Sequence, residues 1–516
     1  MTATRHLQNA STAEAFARTI WAAQGGDPAL PDCLTFAGNG DPRSVFAVGA
    51  LAAGAVAAAG LAIGEWIGTG GGGAPAVAVD RRLAALWFDT NFKPLGWTPP
   101  PAWDPIAGDY RAADGWIRLH TNAPHHRAAA LRVLASHGAS HGAFQGASQG
   151  VSHGASHGGD HADAAPDKAA VLAAVAAWTA DALETAIVAA GGCAAAMRDL
   201  AAWSAHPNGA AVAAEPLVAI AQPTPVHTGI ALPGLPATGP AHTRPAPDLA
   251  PQPVPGRPLA GIRVLDLTRV LAGPVATRFL AGYGADVLRI DPPWWDEPAL
   301  LPFITLGKRC ARLDLRAPAD MAVFRDLLSR ADILVHGYRS DALSRLGLDE
   351  AARQAIRPGL IDVSLDAYGW TGPWLGRRGF DSLVQMSSGI AAEGMRRFGA
   401  DRPTPLPVQA LDHAAGYIAA AACVRGLTRR RATGAGTIAR TSLARVAALL
   451  AAGPIGDPGE GMPPPDDADF ETAIEATPWG PGHRMRPPMT IAGAPMRWDR
   501  PACELGSSAP VWLPRA

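Results

Sequence analysis

The chain has 516 residues, enough for two to four domains, with 48% hydrophobic and 17% charged residues, a globular balance. Its 44 basic and 45 acidic residues leave a net charge of −1, which gives no electrostatic footprint for nucleic acid or a membrane surface. Five scattered cysteines, Cys33, Cys193, Cys310, Cys423 and Cys503, include no CxxC, so a zinc ribbon, a disulfide framework and a thioredoxin-like site are unsupported.

The first residues, MTATRHLQNASTAEAF, lack the apolar core of a secretory signal, which predicts a reducing cytoplasm. Helices are expected over Thr12–Gln24 and Ser44–Ile67. The stretch Ser44–Gly64 carries no charge and could cross a bilayer, which needs about 20 residues. It is mostly Ala and Gly, which bring little transfer energy, so a buried helix pair is expected instead. Gly115–Thr121 reads as a strand. Residues 136–167 repeat Ser, His, Gly and Ala and predict a disordered insert. There His137 and His141, then His153, His157 and His161, recur every four residues, a spacing that would make a metal face on a helix. The intervening glycines each cost a helix about 1 kcal/mol, so a surface loop and no metal site are expected.

Ala169–Ala189 reads as one helix, closed by Gly191 and Gly192. Residues 221–257 are Pro-rich and read as an extended linker. Beyond them the pattern alternates. Strands are expected at Arg263–Leu267, Asp286–Ile290, Ile333–His336 and Leu360–Leu365, with helices at Pro274–Tyr283, Ala319–Arg330 and Ala351–Ile356. Short apolar strands alternating with helices imply an α/β fold with a doubly wound parallel sheet. No GxGxxG follows the first strand, so a nicotinamide enzyme is not the first choice.

Five segments occur in order through 258–445: PLAGIRVLDLTRVLAGPVATRFLAGYGADVLRIDPP, GKRCARLDLR, ADILVHGYRSDALSRLGL, YGWTGPWLGRRGFDSLVQMSSG and ALDHAAGYIAAAACVRGLTRRRATGAG. Together they resemble the class III CoA-transferases, the CaiB/BaiF family. The resemblance implies a Rossmann-like domain with a smaller α+β domain, and transfer of coenzyme A from an acyl-CoA to a small carboxylic acid. It also implies a homodimer, and neither a metal nor a tightly bound cofactor. Some members are acyl-CoA racemases.

The resemblance makes Asp412 the nucleophile, whose carboxylate would attack the thioester to give a mixed anhydride and then carry CoA as an aspartyl thioester. Taken alone, an Asp opening an Ala-rich helix reads as an N-cap worth about 1 kcal/mol. Asp381 falls where the family keeps a second acid, and two close carboxylates push one pKa up; a capping or surface Asp is the plainer reading. Racemases carry a histidine at the position of Phe380, which cannot move a proton, so transfer is favoured over racemisation. For the CoA phosphates the resemblance points to Arg345, Arg378, Lys308 and Arg309, and for the adenosine end to Val270. The sequence departs from the family at Gly337, at Ser340-Asp341, at Pro292 and at Thr437, which predicts weakened CoA affinity.

Ser44–Gly54 can be laid on Leu406–Gly416, with Ala50 in the place of Asp412. Residues 1–135 and 168–220 therefore read as a degenerate N-terminal copy. Residues 106–220 resemble the family's small domain, which the second half lacks, and 446–516 resemble its chain end. The smaller α+β domain is thus expected to be supplied by the N-terminal half, with 258–445 as the Rossmann-like domain. His120, His125 and His126 are expected to be exposed loop residues. The functional expectation is CoA transfer through an aspartyl intermediate. The alternatives are an α-methylacyl-CoA racemase-like epimerase and an inactive CoA-binding protein.

Overall fold

The computed structural model describes residues 2–136, 168–222 and 252–515; the expected insert and linker lie almost wholly outside the described residues. In the first half, helix α1 (Thr2–Ala23) leads to β1 (Leu34–Ala37), α2 (Val48–Gly68), β2 (Val77–Asp80) and α3 (Arg81–Leu86). Strand β3 (Phe92–Pro94) precedes a small unit: β4 (Gly108–Arg111), β5 (Trp116–Leu119), α4 (Pro124–Ser136), α5 (Lys168–Ala176), α6 (Ala180–Ala189) and β6 (Ala194–Ala196). Helices α7 (Leu200–Ala205) and α8 (Pro207–Ala214) then deliver β7 (Ala219–Ala221).

The second half alternates β8 (Arg263–Leu267), α9 (Ala272–Gly282), β9 (Asp286–Asp291), α10 (Leu301–Ile304), β10 (Arg309–Arg312) and α11 (Pro318–Ser329). It continues with β11 (Ile333–His336), α12 (Glu350–Ile356), β12 (Ile361–Asp366), α13 (Asp381–Ser387) and α14 (Ile390–Phe398). Helix α15 (Ala410–Thr433) leads to β13 (Thr437–Ser442) and α16 (Leu443–Ala451). Strands β14 (Phe470–Thr477), β15 (Gly480–Met485) and β16 (Met489–Ile491) follow.

The architecture is mixed α/β. A seven-stranded sheet runs β10-β9-β8-β11-β12-β13-β7, parallel except for β7, which adds antiparallel to β13. Side chains alternate across it, as strand geometry requires. Val264, Ile333 and Val335 face the layer holding α9 and α15, while Leu265, Leu267 and Leu334 face Phe324, Leu327 and Leu328 of α11. Both faces are covered, so apolar residues occur on both sides of strands such as Arg263–Leu267 and Ile333–His336.

Two helix expectations need correction. Ala169–Ala189 is not one helix but α5 and α6, bent by 114°. Trp178 gives its carbonyl to the Ala113 N–H, and Asp114 accepts the Ala180 N–H, so a cap from outside the segment restarts the helix. Nor is Ser44–Ile67 a helix pair: it is the single helix α2 after a short turn. Of its apolar window, 94% is buried inside the protein. Its small residues let neighbours approach closely. A Cβ on Gly54 would lie 2.7 Å from Phe16 Cβ and 2.8 Å from the Ala13 carbonyl of α1.

Adding 362 to a residue number carries α2 onto α15, with matching backbone detail. Ala47 has φ −76° and ψ 57°; Gln409 has φ −76° and ψ 62°. In each the residue after this one donates its N–H to the residue before it at 2.8 Å (Val48 to Phe46, Ala410 to Val408), closing the same inverse γ-turn. At the other end, Asp80 accepts the Leu83 N–H, and Ser442 accepts the Arg445 N–H at the same offset. Gly416 meets α9 as Gly54 meets α1, its Cβ position 2.7 Å from Val275 Cβ. The parallel pair β1–β2 matches β12–β13. Each pair takes its antiparallel neighbour from the other half, β16 on β2 and β7 on β13.

Strands β4, β5 and β6 form a separate antiparallel sheet. Its core is its own, closed by Leu131, Leu134, Val171 and Leu183. One edge docks on the second half. Cys193 and Ala195 pack with Leu383 and Met386 of α13, and the Arg198 N–H donates to the Met386 carbonyl at 3.0 Å.

Candidate active site

Strand order reverses between β8 and β11, because the chain runs outward to β9 and β10 and then returns on the other side of β8. Loops leaving two such strands diverge and open a crevice at their carboxyl ends, the usual ligand position in such sheets. Arg269 and Val270 leave β8 there, and Gly337, Tyr338 and Arg339 leave β11.

Two carboxylates meet where α15 begins. Residue 412 lies in the first turn of α15, not at its cap, and Gln409 at the cap position makes no side-chain bond. Asp381 does the capping from 31 residues upstream, with its Oδ2 accepting the Asp412 N–H at 2.9 Å. The Leu411 N–H also favours its charged form, and Gln385 donates to its Oδ1. Gln385 is held in turn by the Leu406 N–H at 2.6 Å. Having spent the backbone donors on Asp381, the helix leaves none for Asp412, whose carboxylate has no side-chain hydrogen bond among the described residues. Asp412 keeps 8% exposure and Asp381 none, so Asp412 is the one an incoming group can reach.

Burial pushes Asp381 up to about 6, against the pull of its hydrogen bonds. Burial, and then the charge of Asp381, push Asp412 well above the usual carboxylate range. The pair therefore resists full ionisation. From about pH 4 to pH 6 the folded protein keeps a proton on Asp381 that the unfolded chain releases, so this group's stabilising contribution is lost as pH rises through that window. Asp381→Asn should therefore raise stability at pH 7.5 and leave it nearly unchanged near pH 4. Urea midpoints across that range check this, and an equal effect at both ends would refute it.

The small sheet contributes a wall beside this pair. His120 stacks on Phe380 with ring centroids 3.8 Å apart, its Nδ1 3.4 Å from Ser382 Oγ, and His126 meets the edge of Phe380 at 5.9 Å. Burial lowers both imidazoles to about 3, so they are neutral. The expectation of exposed loop histidines fails for these two, because docking of the small sheet covers them. His125, in the first turn of α4, is exposed as expected.

Arginines gather at the crevice. Arg378 is half-buried with no ion pair among the described residues; burial lowers its pKa, and repulsion from Arg339 adds to this. Arg269 lies over the Trp295 ring at 4.5 Å and the Tyr338 ring at 5.2 Å, donating to the Tyr338 hydroxyl at 3.2 Å. Arg345 is exposed and paired with Asp341 at 2.5 Å. Arg269 and Arg339 did not emerge from the sequence; strand order is the signal that finds them.

Val270 is the single non-glycine residue with positive φ among the described residues, at 63°. A β-branched residue there is strained. Its N–H is tied to Glu297 Oε2 at 2.9 Å, which fixes the turn. Val270→Gly should stabilise the protein by about 1 kcal/mol, the strain relieved less the entropy glycine adds to the unfolded chain. Urea unfolding reads this directly, and a destabilised variant would contradict it.

Lys308 and Arg309 do not join the crevice. Lys308 is fully buried, its Nζ 3.0 Å from Asp266 Oδ2 and 3.1 Å from the Pro274 carbonyl. Arg309 grips Asp286, the first residue of β9, and donates to the Val511 carbonyl at 2.6 Å, toward the opposite end of the sheet. Of the departures, Gly337 has open space, with Leu365 Cδ1 3.7 Å from a Cβ position, so packing does not demand glycine. Thr437 is a β13 residue paired with Ile361. The Pro292 carbonyl accepts from Arg312 at 3.0 Å.

The equivalent place in the first half is closed. Asp41 lies against Gly49, where any Cβ would collide with its Oδ1, and its Oδ2 is 3.4 Å from the buried Arg81. Ala50 stands at the position equivalent to Asp412.

Residues 259–474 match the family described as CoA-transferase family III. The chain is 30% identical over 203 residues to a succinyl-CoA–D-citramalate CoA-transferase of Chloroflexus aurantiacus, covering 36% of this chain and 48% of that protein. It is 32% identical over 195 residues to a succinyl-CoA:glutarate CoA-transferase of Mus musculus, covering 35% and 44%. A solved CAIB/BAIF family protein from Brucella suis is 28% identical, with 38% and 56% covered and a TM-score of 0.35. The chain thus spans less than half the length of these two curated relatives. The similarity to CoA-transferase family III thus lies in residues 259–474, within the second half of the chain.

Proposed function

We propose that the protein transfers coenzyme A from an acyl-CoA to a carboxylic acid through a covalent aspartyl intermediate on Asp412. The observation that carries this reading is a carboxylate with no hydrogen-bond partner among the described residues, nearly buried, beside a second carboxylate that holds the helix terminus. An unsolvated carboxylate is a strong nucleophile once ionised, because no donor must be stripped from it. Asp412 attacks the thioester carbonyl, the C–S bond breaks, and CoA leaves as a thiolate from the mixed anhydride. The thiolate then attacks the Asp412 carbonyl and expels the first carboxylate. The acceptor carboxylate repeats these steps in reverse order, and Asp412 is regenerated with no net proton change.

Asp381 is a positioning residue in this scheme, and the arginines at residues 269, 339, 345 and 378 receive the CoA phosphates, with Val270 at the adenosine end. The N-terminal half supplies the small domain, as the docking of its sheet on α13 supports. With β7 and β16 exchanged between halves, one chain holds what would otherwise take two copies.

Phe380 and two neutral histidines of lowered basicity support transfer over racemisation. The test is transfer from succinyl-CoA and other short acyl-CoAs to a panel of carboxylates, run in parallel with α-deuterium exchange in heavy water. New acyl-CoA without exchange is the expected result. Exchange without transfer would replace this reading with an epimerase, and CoA binding with neither would leave a binding protein.

A further inference from the structure

The sequence scatters its cysteines, but the fold brings two of them together. Cys310 lies in β10, the edge strand of the large sheet, and Cys503 in the segment that runs along it. Their sulfurs are 3.6 Å apart across 193 residues of chain. Four backbone anchors hold this arrangement. The Gly307 N–H donates to the Arg500 carbonyl at 3.1 Å, and the Ser508 N–H donates to the Cys310 carbonyl at 2.8 Å. Thr305 Oγ1 accepts the Cys503 N–H at 3.0 Å and donates to the Cys503 carbonyl at 2.8 Å. The two thiols are thus fixed as neighbours, and side-chain rotation with a small backbone shift closes the remaining gap to a bond of about 2.05 Å.

We propose that Cys310 and Cys503 are a dithiol site for hydroperoxides, which closes to a disulfide joining the terminal segment to the edge strand. The division of labour follows from burial. Cys310 is fully buried and Cys503 only partly so, so the oxidant meets Cys503 first. The hydrogen bond from the Cys310 thiol, helped by Ser507 and the charges of Lys308 and Arg289, holds Cys503 down to about 7 despite burial. Cys193 is pushed up to about 12 by burial, and Cys423 is raised as well, so neither competes as a thiolate.

The chemistry balances in two steps. The Cys503 thiolate attacks the hydroperoxide, the O–O bond breaks, and an alcohol (or water, from hydrogen peroxide) leaves after taking up the thiol's proton. Cys503 is then a sulfenic acid. Cys310 attacks that sulfur, the S–O bond breaks, and water leaves with the Cys310 proton. Two thiols are oxidised and one hydroperoxide is reduced. The site is independent of the Asp412 chemistry.

The full chain is incubated with hydrogen peroxide, alkylated and mapped under non-reducing conditions. The expected product is one intramolecular cross-link between residues 310 and 503, with a loss of 2 Da and reversal by dithiothreitol. In Cys310→Ser, dimedone should trap a sulfenic acid at Cys503; in Cys503→Ser, Cys310 should stay unmodified. Wild-type protein that carries Cys503 onward to the sulfinic acid without a cross-link would overturn the proposal. So would oxidation of Cys310 at the same rate in Cys503→Ser.

Discussion

Asp412→Asn should lower kcat by roughly 10³-fold or more, about 4 kcal/mol of transition-state stabilisation, while making the fold slightly more stable at neutral pH. Both signs come from the same geometry. The carboxylate has no donor to stabilise its charge, and burial with Asp381 beside it pushes its pKa up. A neutral amide removes that repulsion but cannot attack a thioester. If Asp412 were merely a helix cap, Asn would serve equally well and only Ala would cost about 1 kcal/mol. Turnover and urea unfolding of the Asn and Ala variants, measured together, separate the two roles. Full activity in either variant excludes the aspartyl mechanism.

Lys308→Met should destabilise the protein by about 3–5 kcal/mol, the cost of leaving a buried carboxylate without its cation. Asp266 is fully buried, with its Oδ1 bound by the Thr268 N–H and hydroxyl and its Oδ2 by the Thr277 hydroxyl and Lys308. Burial raises the Asp266 pKa, but Lys308, Arg289 and these hydroxyls outweigh it and hold the group below its usual range. For Lys308 burial outweighs the attraction of Asp266 and its pKa falls. The 3.0 Å contact and the full hydrogen-bond complement of Asp266 favour the ionised pair. The family resemblance pointed this lysine at a CoA phosphate; in that case its loss would raise KM and spare stability. Urea denaturation shows which, and a variant as stable as the parent would refute the buried-pair account.

Four strands of the large sheet, β8, β9, β11 and β12, were legible from apolar residues at their centres, whereas β10 (RCAR), β13 (TIARTS) and the added edge strand β7 were not. Arg263–Leu267 and Ile333–His336 occur at their predicted limits. Features that depend on distant partners were not. The break between α5 and α6 is set by Asp114 from outside the segment, so Ala169–Ala189 taken alone reads as one helix. Lys308 carries a family motif but spends its charge on Asp266, 42 residues earlier. His120 and His126 sit in a polar stretch and become buried when the small sheet docks on Phe380. Arg269 reaches Tyr338, the residue before Arg339, because β8 and β11 are neighbours, which the one-dimensional pattern does not state. The pairing of Asp381 with the start of α15 is likewise a product of the fold, though family resemblance named both residues.

The internal repeat is clearer in the backbone than in the sequence. A weak alignment of Ser44–Gly54 with Leu406–Gly416 corresponds to the same turn, the same helix start and the same glycine contact. The two copies share backbone conformation more than side chains. Ala50 stands where the second half has Asp412, and Asp41 lies beside it against Gly49 and Arg81.

The central claim is that Asp412 becomes acylated, and trapping tests it most directly. The protein is incubated with short acyl-CoAs, treated with hydroxylamine or borohydride, and mapped by mass spectrometry. The account predicts a hydroxamate or an alcohol at Asp412 with a CoA-transferring donor and no such product in Asp412→Asn. Acyl transfer that proceeds with Asp412 unmodified, or an adduct at another carboxylate, would contradict it.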